Sequence, residues 1–96
     1  AAEIVSLADI EVNMAEHSVA RAGAPVKLTA KEWGVFECLL LRRTKIVPKD
    51  TLEQALYAFG DEVESNAIEA HISRLRGKLG KELIVTHRGL GYRLEV

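Results

Sequence analysis

Apolar and polar positions follow one spacing over the first 28 residues and another after that. Ile4-Val5-Ser6-Leu7, Ile10-Glu11-Val12, Ser18-Val19-Ala20 and Val26-Lys27-Leu28 are short β-compatible segments, punctuated by Asn13, Gly23 and Pro25. They predict a small antiparallel sheet whose stability on its own would be marginal without packing. From Thr29 the spacing becomes helical. Trp33, Phe36, Leu39 and Leu40 share one face, with Val35 beside it. Thr29-Ala30-Lys31-Glu32 has the form of a capping box, in which the hydroxyl accepts from the third helical N–H and the carboxylate reaches back. This helix should end near Arg42 and Arg43, where cations suit the carbonyl end.

Ile46-Val47-Pro48 is extended, and Pro48 is suited to open a second helix that turns Leu52, Ala55 and Leu56 inward. Tyr57 to Glu64 follows as a loop containing Gly60 and three acids, Asp61, Glu62 and Glu64. Asn66 with Glu69 then repeats the capping-box pattern, and Gly80 stands where a C-terminal glycine belongs. Between them Ile68, Ile72, Leu75 and Leu79 form a helical stripe that must face the core. The opposite side should present Ala67, Ala70, His71, Arg74 and Lys78. Finally Leu83 to His87 and Tyr92 to Val96 alternate around Arg88-Gly89-Leu90-Gly91, which predicts a β-hairpin with a glycine-rich tip.

Charge changes this picture only through its distribution. The whole chain carries 13 Lys/Arg and 14 Asp/Glu, a balance that argues against a strongly basic nucleic-acid binder. Residues 1–65 hold 7 Lys/Arg and 11 Asp/Glu, whereas residues 66–96 hold 6 and 3, with His71 and His87 able to add more. The basic third points to an anion-facing surface, although a solvated charged face would look similar. No apolar run approaches the ~20 residues needed to cross a bilayer, so no membrane partner is expected. The lone Cys38 excludes an internal disulfide and fits a reduced, cytoplasmic setting. At 96 residues a single domain is expected. The chain begins Ala1-Ala2 with its only methionine at Met14, as a piece cut from a longer protein would.

Two helices, a loop, a third helix with small and basic exposed residues, and a basic hairpin together make a winged helix-turn-helix. That architecture suits DNA. A major groove about 12 Å wide admits one helix, and Ala67 and Ala70 keep bulk low at its N-terminal part. Arg74 can offer a bidentate fork to guanine or a contact to phosphate. Lys78 and Lys81, near the helix end, are placed as point charges for backbone phosphates. Arg88 at the hairpin tip is placed for an adjacent minor groove, where narrow A·T segments attract arginine. His71 lies on the same expected face, as a phosphate contact or an ordinary surface histidine. His17 and His87 belong to no cluster with metal-ligand spacing, so neither a metal nor a cofactor is expected. Cys38 and Trp33 read as core residues, and Gly89-Leu90-Gly91 as a tight turn rather than a nucleotide loop.

Three stretches make the pattern specific: Leu28 to Trp33, Ala70 to Gly80, and Thr86 to Arg93. Together they resemble the signatures of the OmpR/PhoB-type response-regulator effector domain, in order and over essentially the whole chain. The resemblance implies an α+β winged helix: a four-stranded antiparallel sheet in residues 1–28, a three-helix core in 29–80 and a hairpin wing in 83–96. It implies sequence-specific binding of double-stranded DNA, at direct-repeat half-sites, by the effector domain of a two-component regulator of transcription. By the same resemblance Arg74 matches the main base-reading position, and Asn66, Ala70, His71 and Ser73 line the DNA-facing region. Thr86 and Arg88 match positions where the wing meets phosphate and minor groove. The loop Leu56 to Glu62, with Tyr57 and Asp61, corresponds to a segment that contacts RNA polymerase in some relatives. The partner domain missing from this chain would be a phosphorylatable receiver.

The sequence departs from the family at Pro48, which replaces the usual hydroxyl cap, and at Asn66 and Ser73, where many relatives carry other readers. The operator therefore does not carry over. Two other classes stand beside DNA binding: a winged helix that docks protein through its third helix, and a small enzyme. The acidic first 65 residues suit the former. The latter lacks a triad, a carboxylate pair or a phosphate loop, so no catalytic residue is assigned.

Overall fold

The computed structural model describes residues 4–7, 9–57 and 67–95. Four short strands, β1 (Ile4–Leu7), β2 (Ile10–Asn13), β3 (Ser18–Arg21) and β4 (Ala24–Val26), form an antiparallel meander in chain order. In β2 the alternation is plain, with Ile10 and Val12 buried and Glu11 exposed. The fourth strand lies earlier than Val26-Lys27-Leu28 because its register is set by β3, where Ala24 opposes Arg21 and Val26 opposes Val19. Pro25 is accommodated because β4 is the edge of the sheet, where a missing N–H costs no ladder bond.

Helix α1 (Ala30–Leu41) starts on the capping box: Glu32 N–H donates to Thr29 Oγ1 at 3.2 Å, and Thr29 N–H to Glu32 Oε1 at 3.0 Å. It ends where Arg42 and Arg43 N–H donate to Leu39 O and Leu40 O and Thr44 takes a positive φ of 73°. Pro48 accepts from the N–H groups of Thr51 and Leu52, so α2 (Lys49–Tyr57) opens directly behind it. Helix α3 (Ala67–Leu79) carries the expected stripe at full depth, and Gly80 closes it with φ 114°. The proposed cap at Asn66 and the loop residue Asp61 lie outside the described residues. The hairpin of β5 (Ile84–His87) and β6 (Gly91–Leu94) turns through His87–Leu90, with Leu90 N–H donating to His87 O at 2.9 Å. The architecture is thus α+β: a four-stranded sheet, three helices and a C-terminal hairpin.

One core joins these layers. Phe36, Leu39 and Leu40 of α1 meet Leu52 of α2, Ile68, Ile72 and Leu75 of α3, and Ile84 and Leu94 of the hairpin, while Ile10 and Val12 bring in the sheet. The segment between α1 and α2 also joins the hairpin. Val47 pairs with Tyr92 through two hydrogen bonds, N–H to O at 2.7 and 3.0 Å, a one-residue bridge on the outer side of β6. This close approach dictates Gly91. Its φ is 145°, and a Cβ there would overlap Val47 O and lie 2.9 Å from Pro48 Cα. Backbone cannot yield as a flexible side chain can.

Gly91→Ala should therefore lower stability by about 2 kcal/mol or more, because it adds an overlap with backbone to the unfavourable φ. Gly89→Ala is the control. Its φ of 74° is also left-handed, but a Cβ there meets nothing within 4 Å, so only about 1 kcal/mol of backbone strain is expected. Urea midpoints of the two variants check this; equal losses would mean that contact with Val47 is not what selects glycine.

Candidate nucleic-acid interface

The exposed side of α3 is a narrow strip of small and polar residues. Glu69, Ser73, Arg74 and Gly77 are exposed, while Ala67 and Ala70 are half-buried beside them. Steps of four residues, 69 to 73 to 77 and 70 to 74, keep this strip straight along the helix. Next to its start lies an open groove of 470 Å³ between the wing turn and the first residues of α2 and α3, lined by Pro48, Lys49, Glu69, Thr86, Arg88 and Tyr92, among others. The wing tip and the front of α3 therefore share one side of the molecule. Arg74 and Arg88 are exposed, and among the described residues neither guanidinium has a hydrogen-bond or ion-pair partner. A pair of unengaged forks flanking a low helix surface is what a polyanion needs.

Other expected contacts sit differently. His71 is only 9% exposed and belongs to the buried face, three residues after Ile68 and four before Leu75. The apolar stripe of four residues understated the width of that face. Burial, then the nearby Arg74 and Lys31 charges, hold the imidazole below its ordinary pKa against the pull of Glu32, so His71 is a neutral core group at pH 7. Its placement removes it from the strip on which a phosphate contact was expected.

Lys78 is likewise committed inward. Its ammonium donates to Glu32 Oε1 at 2.6 Å and to Lys27 O at 2.9 Å, and the Glu32 side chain is only 2% exposed. Burial pushes the Glu32 carboxyl up, but the hydrogen bonds from Lys78 and Thr29 and the Lys78 and Arg74 charges outweigh it, leaving the pKa below its ordinary value. Lys78 thus stabilises a buried carboxylate, where a free point charge for phosphate was expected. Thr86 is exposed on β5, yet its Oγ1 accepts from Arg76 Nη2. Tyr57, at the end of α2, is 56% exposed.

Several connections were not legible in the sequence. Lys49 at the start of α2 and Glu69 in the first turn of α3 form an ion pair at 2.8 Å, which raises the lysine pKa and lowers that of the acid. It crosses the helix-turn-helix at its solvent edge, where such pairs contribute little on their own. Arg76 reaches from α3 to Ile84 O of the wing. His17, which had no assigned role, stacks on Trp33 at 4.7 Å between ring centroids. Cys38 is buried and its thiol pKa is raised by that burial, although Arg42 one turn on donates to its Sγ at 3.6 Å. No local spacing signals any of these, because each joins segments that only the fold brings together or depends on a rotamer.

The family described as "Transcriptional regulatory protein, C terminal" matches residues 23–94. The response regulator protein PmrA of Pseudomonas aeruginosa is 40% identical over 87 residues, which cover 91% of this chain and 39% of that protein. The chain thus spans well under half the length of the curated relatives it matches. Among solved structures, the DNA-binding domain of CpxR from E. coli superposes with a TM-score of 0.80 at 25% identity, covering 96% of this chain and 95% of that one. The RstA DNA-binding domain of Klebsiella pneumoniae, solved in complex with the RstA box, gives a TM-score of 0.81 at 23% identity, with 96% of both chains covered, and so shares the fold.

The Glu32–Lys78 pair yields a prediction with a sign. A carboxyl whose folded pKa is depressed adds stability above its unfolded pKa of about 4.5 and loses it as the pH falls through the folded value. Lys78→Met leaves the carboxylate buried without its cation, so its folded pKa rises instead and acidification relieves the strain. The variant should be less stable by roughly 2–3 kcal/mol near pH 7, short of the full cost of breaking a buried pair because the Lys78 side chain is 37% exposed. That deficit should narrow as the pH is lowered to about 4. Urea unfolding at both pH values checks it, and a deficit independent of pH would show that only the packing of the lysine stem matters.

Proposed function

The chain belongs to the family of transcriptional regulatory protein C-terminal domains, and from that premise we propose that it binds double-stranded DNA sequence-specifically and regulates transcription as the effector domain of a two-component response regulator. The observation that carries this reading is the pair of exposed, unengaged arginines, Arg74 on α3 and Arg88 at the wing turn. Helix α3 enters the major groove with its small strip of Ala70, Ser73 and Gly77 against the bases. Arg74 forks onto a guanine edge or its neighbouring phosphate. Arg88 reaches into the adjacent minor groove, where a narrow A·T segment concentrates negative potential. Asn66 precedes this helix and stays in the contact set, as does Thr86 through its hydroxyl proton. His71 and Lys78 leave it, since His71 is buried and the Lys78 ammonium is engaged by Glu32 and the Lys27 carbonyl.

In this reading the domain is a binding module with no chemistry of its own, working in the cytoplasm beside a receiver domain in the longer protein. A single domain holds DNA weakly, and two domains on direct-repeat half-sites gain by effective concentration. Selection of bound duplexes from a random pool, followed by binding at two salt concentrations, tests the proposal. A steep fall of affinity with salt supports it, and a salt-independent protein contact would favour the alternative of a protein-docking winged helix.

Two predictions separate reading from other roles. Arg74→Ala should cost roughly 1–3 kcal/mol on the selected site and relax base preference there. Arg88→Ala should lose most on sites whose wing-facing segment is A·T-rich. Affinities over a matched duplex panel check both; a uniform drop for Arg74→Ala would make it a phosphate anchor. A further prediction concerns Tyr57, exposed at the end of α2 before a segment that includes Asp61. If that region meets RNA polymerase, Tyr57→Ala should keep DNA affinity yet lower transcription from an activated promoter in a reconstituted assay. Unchanged transcription would leave the segment a connector.

A further inference from the structure

Strand β5 is a sheet edge, and one side chain of α3 occupies it. Glu95 N–H donates to Leu83 O at 2.8 Å, which makes 83 and 95 a hydrogen-bonded pair at the base of the hairpin. Such pairs alternate with non-bonded ones in an antiparallel ladder, so the register puts Ile84 opposite Leu94, and Thr86 opposite Tyr92, in non-bonded positions. Their main-chain groups point away from the partner strand. On the β6 side those of Tyr92 are taken by Val47, as described above. On the β5 side the acceptor is met by Arg76. Its Nε–H and Nη2–H donate to Ile84 O at 3.1 and 2.9 Å, and Nη2–H also donates to Thr86 Oγ1. Among the described residues these are the hydrogen bonds that run from α3 to β5 or β6. The helix against which β6 chiefly packs is α1.

We propose that Arg76 is a positioning residue that fixes the wing relative to the recognition helix, so that Arg74 and Arg88 address two grooves of one DNA segment as a single rigid constellation. The proposal rests on the DNA-binding reading above. Arg76 stands two residues after Arg74 on α3, and Thr86 two residues before Arg88 on the hairpin, so the contact joins the roots of both arms. A planar guanidinium can serve two acceptors with one orientation. A lysine ammonium on a flexible stem cannot hold that geometry. Without the contact the hairpin keeps its ladder and its packing on α1, but its tip is free to swing relative to α3.

The test has one arm without DNA and one with it. In the free protein, hairpin amides such as Val85 and His87 should exchange about tenfold faster in Arg76→Gln than in the wild type, while α1 amides keep their rates. Arg76→Lys should not restore protection. Thr86→Val, which removes one acceptor and keeps the shape, should give a smaller change in the same amides and keeps the test decisive if the arginine variants do not fold. In the second arm, Arg88→Ala is measured on the selected duplex in wild-type and Arg76→Gln backgrounds. Its cost should shrink to within about twofold in the latter, while the cost of Arg74→Ala stays the same in both. Unchanged hairpin exchange in every variant overturns the proposal. So does faster exchange combined with an Arg88→Ala cost that is equal in the two backgrounds. If the wild-type domain binds no duplex at all, the functional reading fails, and the exchange arm still decides whether Arg76 holds the wing.

Discussion

A carboxylate taken out of water must be surrounded by donors, and the way Glu32 is satisfied organises much of this molecule. Its Oε1 accepts from Thr29 N–H, which starts α1, and from Lys78 Nζ, which ends α3. The same ammonium donates to Lys27 O in the segment leaving the sheet, and Arg21 of β3 reaches the Lys78 carbonyl at 3.4 Å. Three layers therefore meet at one charge. A buried ion pair adds little net stability over an apolar contact of the same shape, but a displaced partner is costly. The pair thus acts mainly on geometry: it specifies how far along α1 the helix α3 must lie, which apolar packing alone leaves degenerate.

That constraint alters the meaning of the charge distribution. Residues 66–96 hold 6 Lys/Arg, and their surplus over acids first suggested a basic face for a polyanion. Half of them are engaged within the protein: Arg76 with the wing, Lys78 with Glu32, and Arg93 with Glu95 at 3.2 Å. Arg74, Lys81 and Arg88 are the cations in this third that make no hydrogen bond or ion pair with a described residue. Counting charges overstated the cationic surface about twofold, whereas following each charge to its partner isolates the residues that face outward on the helix and the wing turn.

The local features were legible because they are encoded within a few residues. The Thr29–Glu32 box, the Ile68–Leu79 stripe, the glycine turn of the hairpin and the proline that opens α2 each depend on spacing within about three helical turns or one hairpin. What failed was anything set by width or by distant partners. A strict four-residue stripe placed His71 outside, since a helix packed against both α1 and α2 buries a broader arc than its apolar residues mark. Lys78 looked free because Glu32 lies 46 positions away in sequence. The role of Gly91 was visible only as a turn residue, because Val47, which forbids any side chain there, arrives from between α1 and α2.

The engaged and unengaged basic residues also divide the entropy of recognition. Ordering a long charged side chain costs on the order of 1–2 kcal/mol, a cost folding has already met for Arg76 and Lys78. The same cost remains to be met on binding by Arg74 and Arg88, the two that would read DNA. A face built this way has Arg76 and Lys78 already engaged within the protein and leaves Arg74 and Arg88 to be ordered on binding. On the proposed reading, discrimination would depend on whether a base edge or a narrow groove offers enough to order those two side chains, since a poor site leaves them solvated. If Arg76 holds the wing as proposed, specificity would come from the rigidity around Arg74 and Arg88 as much as from those residues themselves.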